Sequence, residues 1–409
     1  MDVCFTTLSK SCIAHVPLTR FMHSFQESSL SRRMLYFVDN KVFFKCHRSE
    51  FGETVDAKFE NPDVKYLGPR SLHEAKVALD SGSQRNMTHD GGTVELFYYR
   101  QYVGNLSKYT SRALGDQGDI LRAMAGIMRR DSELMGSSML EGLPVRALEP
   151  FMLFSGRNLR RRRGFPSYSW AGWIGGIKVS IDPMFGLTLC DLVWIFWYKL
   201  TPGSPTAERV WEEDPDLAFC SDMMCENGRG ISSFLFSRLG LSTSRKEPAI
   251  SYLGPPLRYP ILQFWTVSVF FEASNFDVFD QSTNLTGSDG TLCGDVKFDG
   301  FEETTFFDEN TQFELLLISG GGSTGPEGEP STPTSDGGQF EWLLFSGDGP
   351  LLPGTNPTEP KSYLEYFNAM VIEWMESGVA ERRGSGRVEK DAIMKSLAPG
   401  PVWKEILLG

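Results

Sequence analysis

"FPSYSWAGW", residues 165–173, sets the central problem of this sequence, because aromatic rings and a proline alternate there with Ser, Ala and Gly. In an extended chain Phe165, Ser167, Ser169, Ala171 and Trp173 share one face, while Tyr168 and Trp170 take the other. Rings on both faces make a poor one-sided stacking groove, but they fit a strand buried on both sides. The small residues between them let neighbouring elements approach closely. The expectation is therefore core. Immediately before it stand Arg157 and the run Arg160 to Arg163. Such a run serves either as a nuclear-import or nucleic-acid patch or as an exposed loop that pairs with acids. The formal charge of −12 favours the loop.

The same acidic balance, with a pI near 5.1, argues against general binding of phosphate backbones, which needs an excess of Lys and Arg. The 409 residues suffice for two or three domains, and the 41% hydrophobic and 22% charged fractions are those of an ordinary globular chain. Seven scattered cysteines without a signal peptide read as reduced intracellular thiols. The most apolar run, "LTLCDLVWIFWYKL" at 187–200, is too short for a bilayer and carries Asp191. The expected location is cytoplasmic, with no membrane and no nucleic-acid partner.

Outward from the opening stretch, the pattern predicts an α+β chain. "MLYFVDNKVFFKC" places two apolar runs around Asp39-Asn40, a two-residue hairpin signal. Residues 51–70 read as a loop. "SLHEAKVALD" and "VELFYYRQYVGNL" read as short helices, and residues 116–130 as a stronger one, with Ile120, Ala123, Met124, Ile127 and Met128 on one face. Gly142 and Pro144 are expected to close this helical region. Strands are expected across 257–273, 313–319 and 340–345, with the Gly/Ser/Pro segment 320–339 as a flexible loop. A hairpin, a short helix and a final strand end the chain. The division expected is 1–50, a hairpin segment; 51–150, loop and helices; 151–319, β-rich; 320–339, loop; and 340–409, strands completing the β-rich region.

Motifs with chemistry are weak. Gly320 to Gly325 fits the dinucleotide spacing, but Pro326, Gly328 and Pro330 follow, so no helix starts there to hold a pyrophosphate. Gly321 to Gly325 also spells a nucleophile elbow, yet all five histidines (15, 23, 47, 73 and 89) precede it, the wrong order for that hydrolase triad. Cys220 and Cys225 lack a second pair at zinc spacing, and His47 beside Cys46 points to the opposite face of a strand. The acid pairs Glu302-Glu303 and Asp308-Glu309 read as solvated turns. No catalytic, cofactor or metal site is expected.

Five blocks in order carry a family resemblance. "FPSYSWAGW" after basic residues resembles the R-x-P-S-W-S-W-A-G-W block of fungal heterokaryon-incompatibility (HET) domain proteins, through Pro166, Ser167, Ser169, Trp170, Gly172 and Trp173, with Tyr168 where Trp is usual. Residues 24–46 resemble the end of the HET domain proper through Phe25, Gln26, Glu27, Leu30, Ser31, Arg32, Arg33, Leu35, Tyr36 and Phe37, with Met22-His23 in place of Gly-Trp. Residues 109–127 resemble a family helix through Tyr109, Arg112, Leu114, Asp119, Leu121, Ala123 and Gly126. "PILQFWT" at 260–266 and the closing blocks, with Trp403, complete the set. The resemblance implies nonself recognition and cell death after incompatible fusion.

The family's HET domain resembles a TIR-like nucleotide hydrolase. About twenty residues precede "FQE" here, and they contain neither the "SY-x-WG" nor the "W-x-D-x-x-CI-x-Q" block. The expectation is thus a C-terminal portion of a HET-domain protein, from which no catalytic residue is carried over. It would act as a non-enzymatic interaction or regulatory module whose partner is another HET-domain or incompatibility protein. The alternatives are an NAD or nucleotide hydrolase, if the true product begins upstream, and a truncated product without function.

Overall fold

A computed structural model describes residues 4–8, 22–38, 41–46, 50–52, 91–179, 195–204, 206–211, 247–252, 254–300, 311–321 and 366–409. The chain is α+β. Its first strands are β1 (Cys4–Leu8), β2 (Arg33–Val38), β3 (Lys41–Cys46) and β4 (Glu50–Gly52), with helix α1 (Met22–Leu30) preceding β2. They form one sheet in the order β1-β2-β3-β4, with β1 parallel to β2 and the other pairs antiparallel. Val38 pairs with Lys41 across the predicted Asp39-Asn40 turn. Phe51 and Gly52, expected in a loop, instead pair with β3, because that strand leaves a free edge for the returning chain.

Helix α2 (Gly91–Thr110) is twenty residues long and absorbs the shorter helix expected there. It buries Tyr99, Tyr102, Leu106 and Tyr109 along one stripe, at the spacing an amphipathic helix requires. The continuous helix expected at 116–130 is broken. Short 3-10 turns at Gln117–Asp119 and Arg122–Met124 precede α3 (Ala125–Met135). Two local bonds divert the chain: the Asp116 side chain accepts from Gly118 N at 2.9 Å, and the Tyr109 hydroxyl donates to Ile120 O at 2.5 Å. Helix α3 ends at Gly136. Gly142 and Pro144 do not close the helix but belong to a tight hairpin, β5 (Met139–Leu140) and β6 (Leu143–Pro144), after which α4 (Leu148–Met152) resumes the helical path.

Four short strands follow: β7 (Ser155–Gly156), β8 (Arg160–Arg161), β9 (Trp173–Ile174) and β10 (Ile177–Lys178), paired as β7–β10 and β8–β9. The stretch between β8 and β9 is not a strand, contrary to expectation. It coils through turns into a 3-10 turn at Trp170–Gly172 that Ser169 caps, its Oγ accepting from Ala171 N at 3.0 Å. A Cβ at Gly172 would lie 2.2 Å from Pro166 O, so the coil closes only because that residue is glycine.

The large sheet contains β11 (Tyr198–Leu200), β12 (Glu208–Arg209), β13 (Ile261–Asp277), β14 (Ser282–Thr286), β15 (Leu292–Phe298), β16 (Gln312–Gly321), β17 (Tyr366–Trp374), β18 (Ala380–Glu389) and β19 (Val402–Leu408). Strands β13, β14, β15, β18, β17 and β16 each pair antiparallel with the next, and β16 returns to pair with β13. The sheet thus closes into a six-stranded ring, which removes the exposed edges that an open sheet of such apolar strands would present. The length of β13 allows this. Its first half pairs with β19 over Leu262–Ser268, and its second half takes β14 over Glu272–Asp277.

Gly320 and Gly321, placed in a loop by their composition, extend β16 and pair with Phe367 and Tyr366. The expected hairpin, short helix and last strand of the C-terminal region are β17, β18, a 3-10 helix at Lys390–Lys395, and β19. The remaining loop 322–339, the strand expected at 340–345, the helix expected at 71–80, both acid pairs and Cys220 and Cys225 lie outside the described residues. One core spans the helices and the ring: Tyr102, Tyr109, Met124, Phe151 and Trp170 pack in the same cluster as Phe264, Leu315, Phe367 and Val388. Each large side chain so buried contributes on the order of 2–3 kcal/mol.

Candidate functional site

The coil 165–172 sits where helices and ring meet, and its side chains join the two. The Trp170 ring meets Tyr109 edge-on at 6.0 Å between centroids, and Tyr109 lies 5.9 Å from Phe25 of α1. Trp170 Nε1 and the Tyr102 hydroxyl both donate to Gly142 O, at 2.8 and 2.6 Å. Gly142 has φ +82°, and a Cβ there would lie 2.7 Å from the indole. On the ring side the Ser167 hydroxyl donates to Gly409 O and accepts from Arg382 N. Tyr168 donates to Pro260 O at 2.8 Å, just ahead of β13. Trp173 Nε1 donates to Ser167 O at 2.8 Å, and Ser169 donates to Glu141 O at 2.5 Å. The small residues of this block therefore serve as backbone clamps as well as spacers.

The arginine run divides. Arg160 and Arg163 are exposed, and Arg157 pairs at the surface with Asp280 at 2.9 Å. Arg162, expected in an exposed loop, is buried: its guanidinium donates to Ala171 O, Trp173 O and Gln117 Oε1 at 2.5, 2.7 and 3.0 Å. Burial lowers it to about 10. Its planar guanidinium fixes the Ala171 and Trp173 carbonyls while also reaching Gln117, an arrangement the single ammonium of a lysine would not reproduce.

Behind the coil lies a buried ion pair. Arg382 of β18 bonds Asp299 and Phe154 O, and its guanidinium stacks 3.6 Å from the centre of the Phe154 ring. Burial pushes the Asp299 carboxyl up and the Arg382 guanidinium down, and each partner opposes the other's shift. A second buried acid, Glu149 of α4, accepts from Trp197 Nε1 at 2.5 Å, and burial pushes it up to about 7.

The family-motif residues do not all converge. Phe25, Tyr109, Arg112, Trp170, Ser167, Ser169, Pro166, Gly172 and Trp173 lie in or against this junction, with the Arg112 guanidinium 4.6 Å over the Phe25 ring. Gln26 packs below α3, its Nε2 2.7 Å from where a Cβ on Gly126 would stand. Ser31 is half-buried beside α1. Glu27, Arg32 and Arg33 are exposed, and Asp119 pairs with exposed Arg122 at 3.4 Å. Trp403 stands apart, stacked on Trp265 at 6.3 Å. Sequence reasoning missed Glu149, Arg382, Asp299 and Trp197; no local pattern sets them apart from other acids, arginines and indoles.

Both serine hydroxyls of the coil are spent on backbone groups, so the arrangement positions structure and presents no nucleophile with a base. Among the described residues, no group of three or more His, Cys, Asp or Glu side chains could hold a metal ion, and no helix is long and apolar enough to cross a membrane. A scan against protein-family models and searches of curated proteins and of solved structures found nothing that matches this chain.

Proposed function

We propose that this chain is a HET-domain-related protein acting in the cytoplasm as a non-enzymatic interaction and regulatory module of fungal nonself recognition. Its partner would be another HET-domain or incompatibility protein. One observation carries the reading. Blocks that resemble the family far apart in the sequence touch one another, Phe25 on Tyr109, Tyr109 on Trp170, and Ser167 on the backbone of Arg382. Motif residues engaged in mutual packing support a scaffold that presents a surface, since their chemistry is consumed internally.

The test is retention of the purified full chain by an immobilised, complete HET-domain protein, against a matched unrelated protein of similar charge. Specific retention supports the proposal, and its repeated absence at micromolar concentration overturns it. Release of nicotinamide from NAD by the same preparation would overturn the non-enzymatic part separately.

A further inference from the structure

Gln263 and Trp265 of β13 share one face of the sheet with Trp403 and Glu405 of β19, because Trp265 pairs with Glu405 and Val267 with Trp403. The main chain of residues 247–250 is bonded to side chains of that face. Trp265 Nε1 donates to Glu247 O at 3.0 Å. The two carboxylate oxygens of Glu405 accept from successive amides, Ala249 N at 2.8 Å and Ile250 N at 3.0 Å. Gln263 Nε2 donates to Ile250 O and to Glu405 Oε1, both at 2.8 Å, so it also orients the carboxylate. Carbonyls and amides of one short segment are thus both matched by side chains, where a neighbouring strand would use its own backbone.

The side chains of the segment face the other way. Glu247, Ala249, Ile250 and Ser251 are exposed, Ile250 at 49%, and Pro248 is half-buried. Tyr252 packs against the cluster of Leu200, Ile261, Val379 and Leu407 and fixes the segment at its C-terminal end. Residues 247–251 therefore bury little apolar surface, and main-chain bonds carry their attachment, which is the condition for local opening without unfolding of the neighbours. The groups they bond to are polar, Gln263 at 2% and Glu405 at 6% exposure. Releasing the segment hands an amide and a carboxylate to water, which satisfies both, whereas uncovering hydrocarbon would carry a lasting cost. The indoles of Trp265 and Trp403, stacked at 6.3 Å, stand beside these bonds.

We propose that Gln263, Trp265, Trp403 and Glu405 form a peptide-binding site that reads main chain, occupied in cis by residues 247–250 and taken in trans by an extended segment of another polypeptide. The seated segment defines that ligand. It offers a carbonyl where Glu247 stands and two successive free amides where Ala249 and Ile250 stand, so proline is excluded at those two positions. Its exposed side chains place little demand on sequence. Affinity from main-chain hydrogen bonds is the physics of strand addition, here supplied by a carboxylate, an amide and an indole in place of a sheet edge. The inference goes beyond the proposed function and does not depend on it.

The test follows the fluorescence anisotropy of a labelled peptide with the sequence of residues 247–252 as the full chain is added. In Ala249→Pro the chain's own segment loses one donor to Glu405 and competes less well. The peptide should bind that variant at least about tenfold more tightly than the wild-type chain, whose segment competes at an effective concentration on the order of millimolar. The same peptide N-methylated at the positions of Ala249 and Ile250 should bind at least about tenfold more weakly, because both donors to the carboxylate are gone. Absence of binding to the folded variant, or equal binding of the methylated peptide, overturns the site. Should the variant fail to fold, the wild-type chain decides: unlabelled peptide at millimolar concentration should speed amide exchange at Ala249 and Ile250 at least about tenfold by displacing the segment, and unchanged exchange overturns the proposal.

Discussion

The Arg382→Met variant removes the guanidinium that faces Asp299 where neither side chain reaches solvent, at 0% and 2% exposure. It leaves a buried carboxylate without its close counter-charge, and breaking a buried pair in this way costs about 3–5 kcal/mol. The lost contact with the Phe154 ring accounts for roughly 1–2 kcal/mol of that, since the cation is desolvated. Phe154 O adds little, because the Ser385 hydroxyl also donates to it, at 3.2 Å. The Ser167 bond is kept, because it is made by the backbone of Arg382. Asp299→Leu alone should cost a similar amount by stranding the guanidinium. The double variant removes both charges and should lie within about 1–2 kcal/mol of wild type. The cycle therefore predicts a coupling of several kcal/mol, far above the roughly 0.5 kcal/mol expected of independent sites. Urea unfolding of all four proteins, followed by far-ultraviolet circular dichroism at one pH, measures it. A loss below about 1 kcal/mol in Arg382→Met, or additive losses in the double variant, would refute a mutually compensating buried pair.

The two donors on Gly142 O give a second cycle: Tyr102→Phe should cost about 1 kcal/mol while the indole still serves the carbonyl, and combining it with Trp170→Phe should cost about 1–2 kcal/mol beyond the sum, read by the same unfolding assay. Gly142→Ala combines a positive φ with a Cβ pressed into a fixed indole, and a loss of about 2–4 kcal/mol in chemical denaturation is expected; a variant as stable as wild type would show that the hairpin relaxes freely. Global stability should also report Glu149. Its folded value of about 7 exceeds its ordinary 4.5, so its contribution is fully present below 4.5 and is lost as pH rises through 7. The loss reaches about 3 kcal/mol, and Glu149→Gln should flatten that part of the stability profile between about pH 5 and about pH 8.

The sequence by itself determined the elements whose residues alternate or recur at a fixed period. The hairpin about Asp39-Asn40, the apolar strand of 257–273 and the terminal hairpin and strand were legible because each is marked by its own local residue pattern, although the partners of the apolar strand and of the last strand lie far away in sequence. Core placement of "FPSYSWAGW" was legible too, since rings of that size must leave water. Its path was not. An extended strand and a capped 3-10 coil bury the same residues, and the choice rests on Ser169 bonding Ala171 and on Gly172 closing against Pro166. The helix at 116–130 broke for a similar reason, because the Tyr109 hydroxyl claims the Ile120 carbonyl across a turn of chain.

Only the tertiary structure decided which of the adjacent arginines is buried, which acid faces Arg382, and that β16 returns to β13 to close the ring. These outcomes depend on partners far away in sequence. A buried charge or a strand edge is satisfied by whatever group the whole fold brings to it, and local periodicity carries no information about that group.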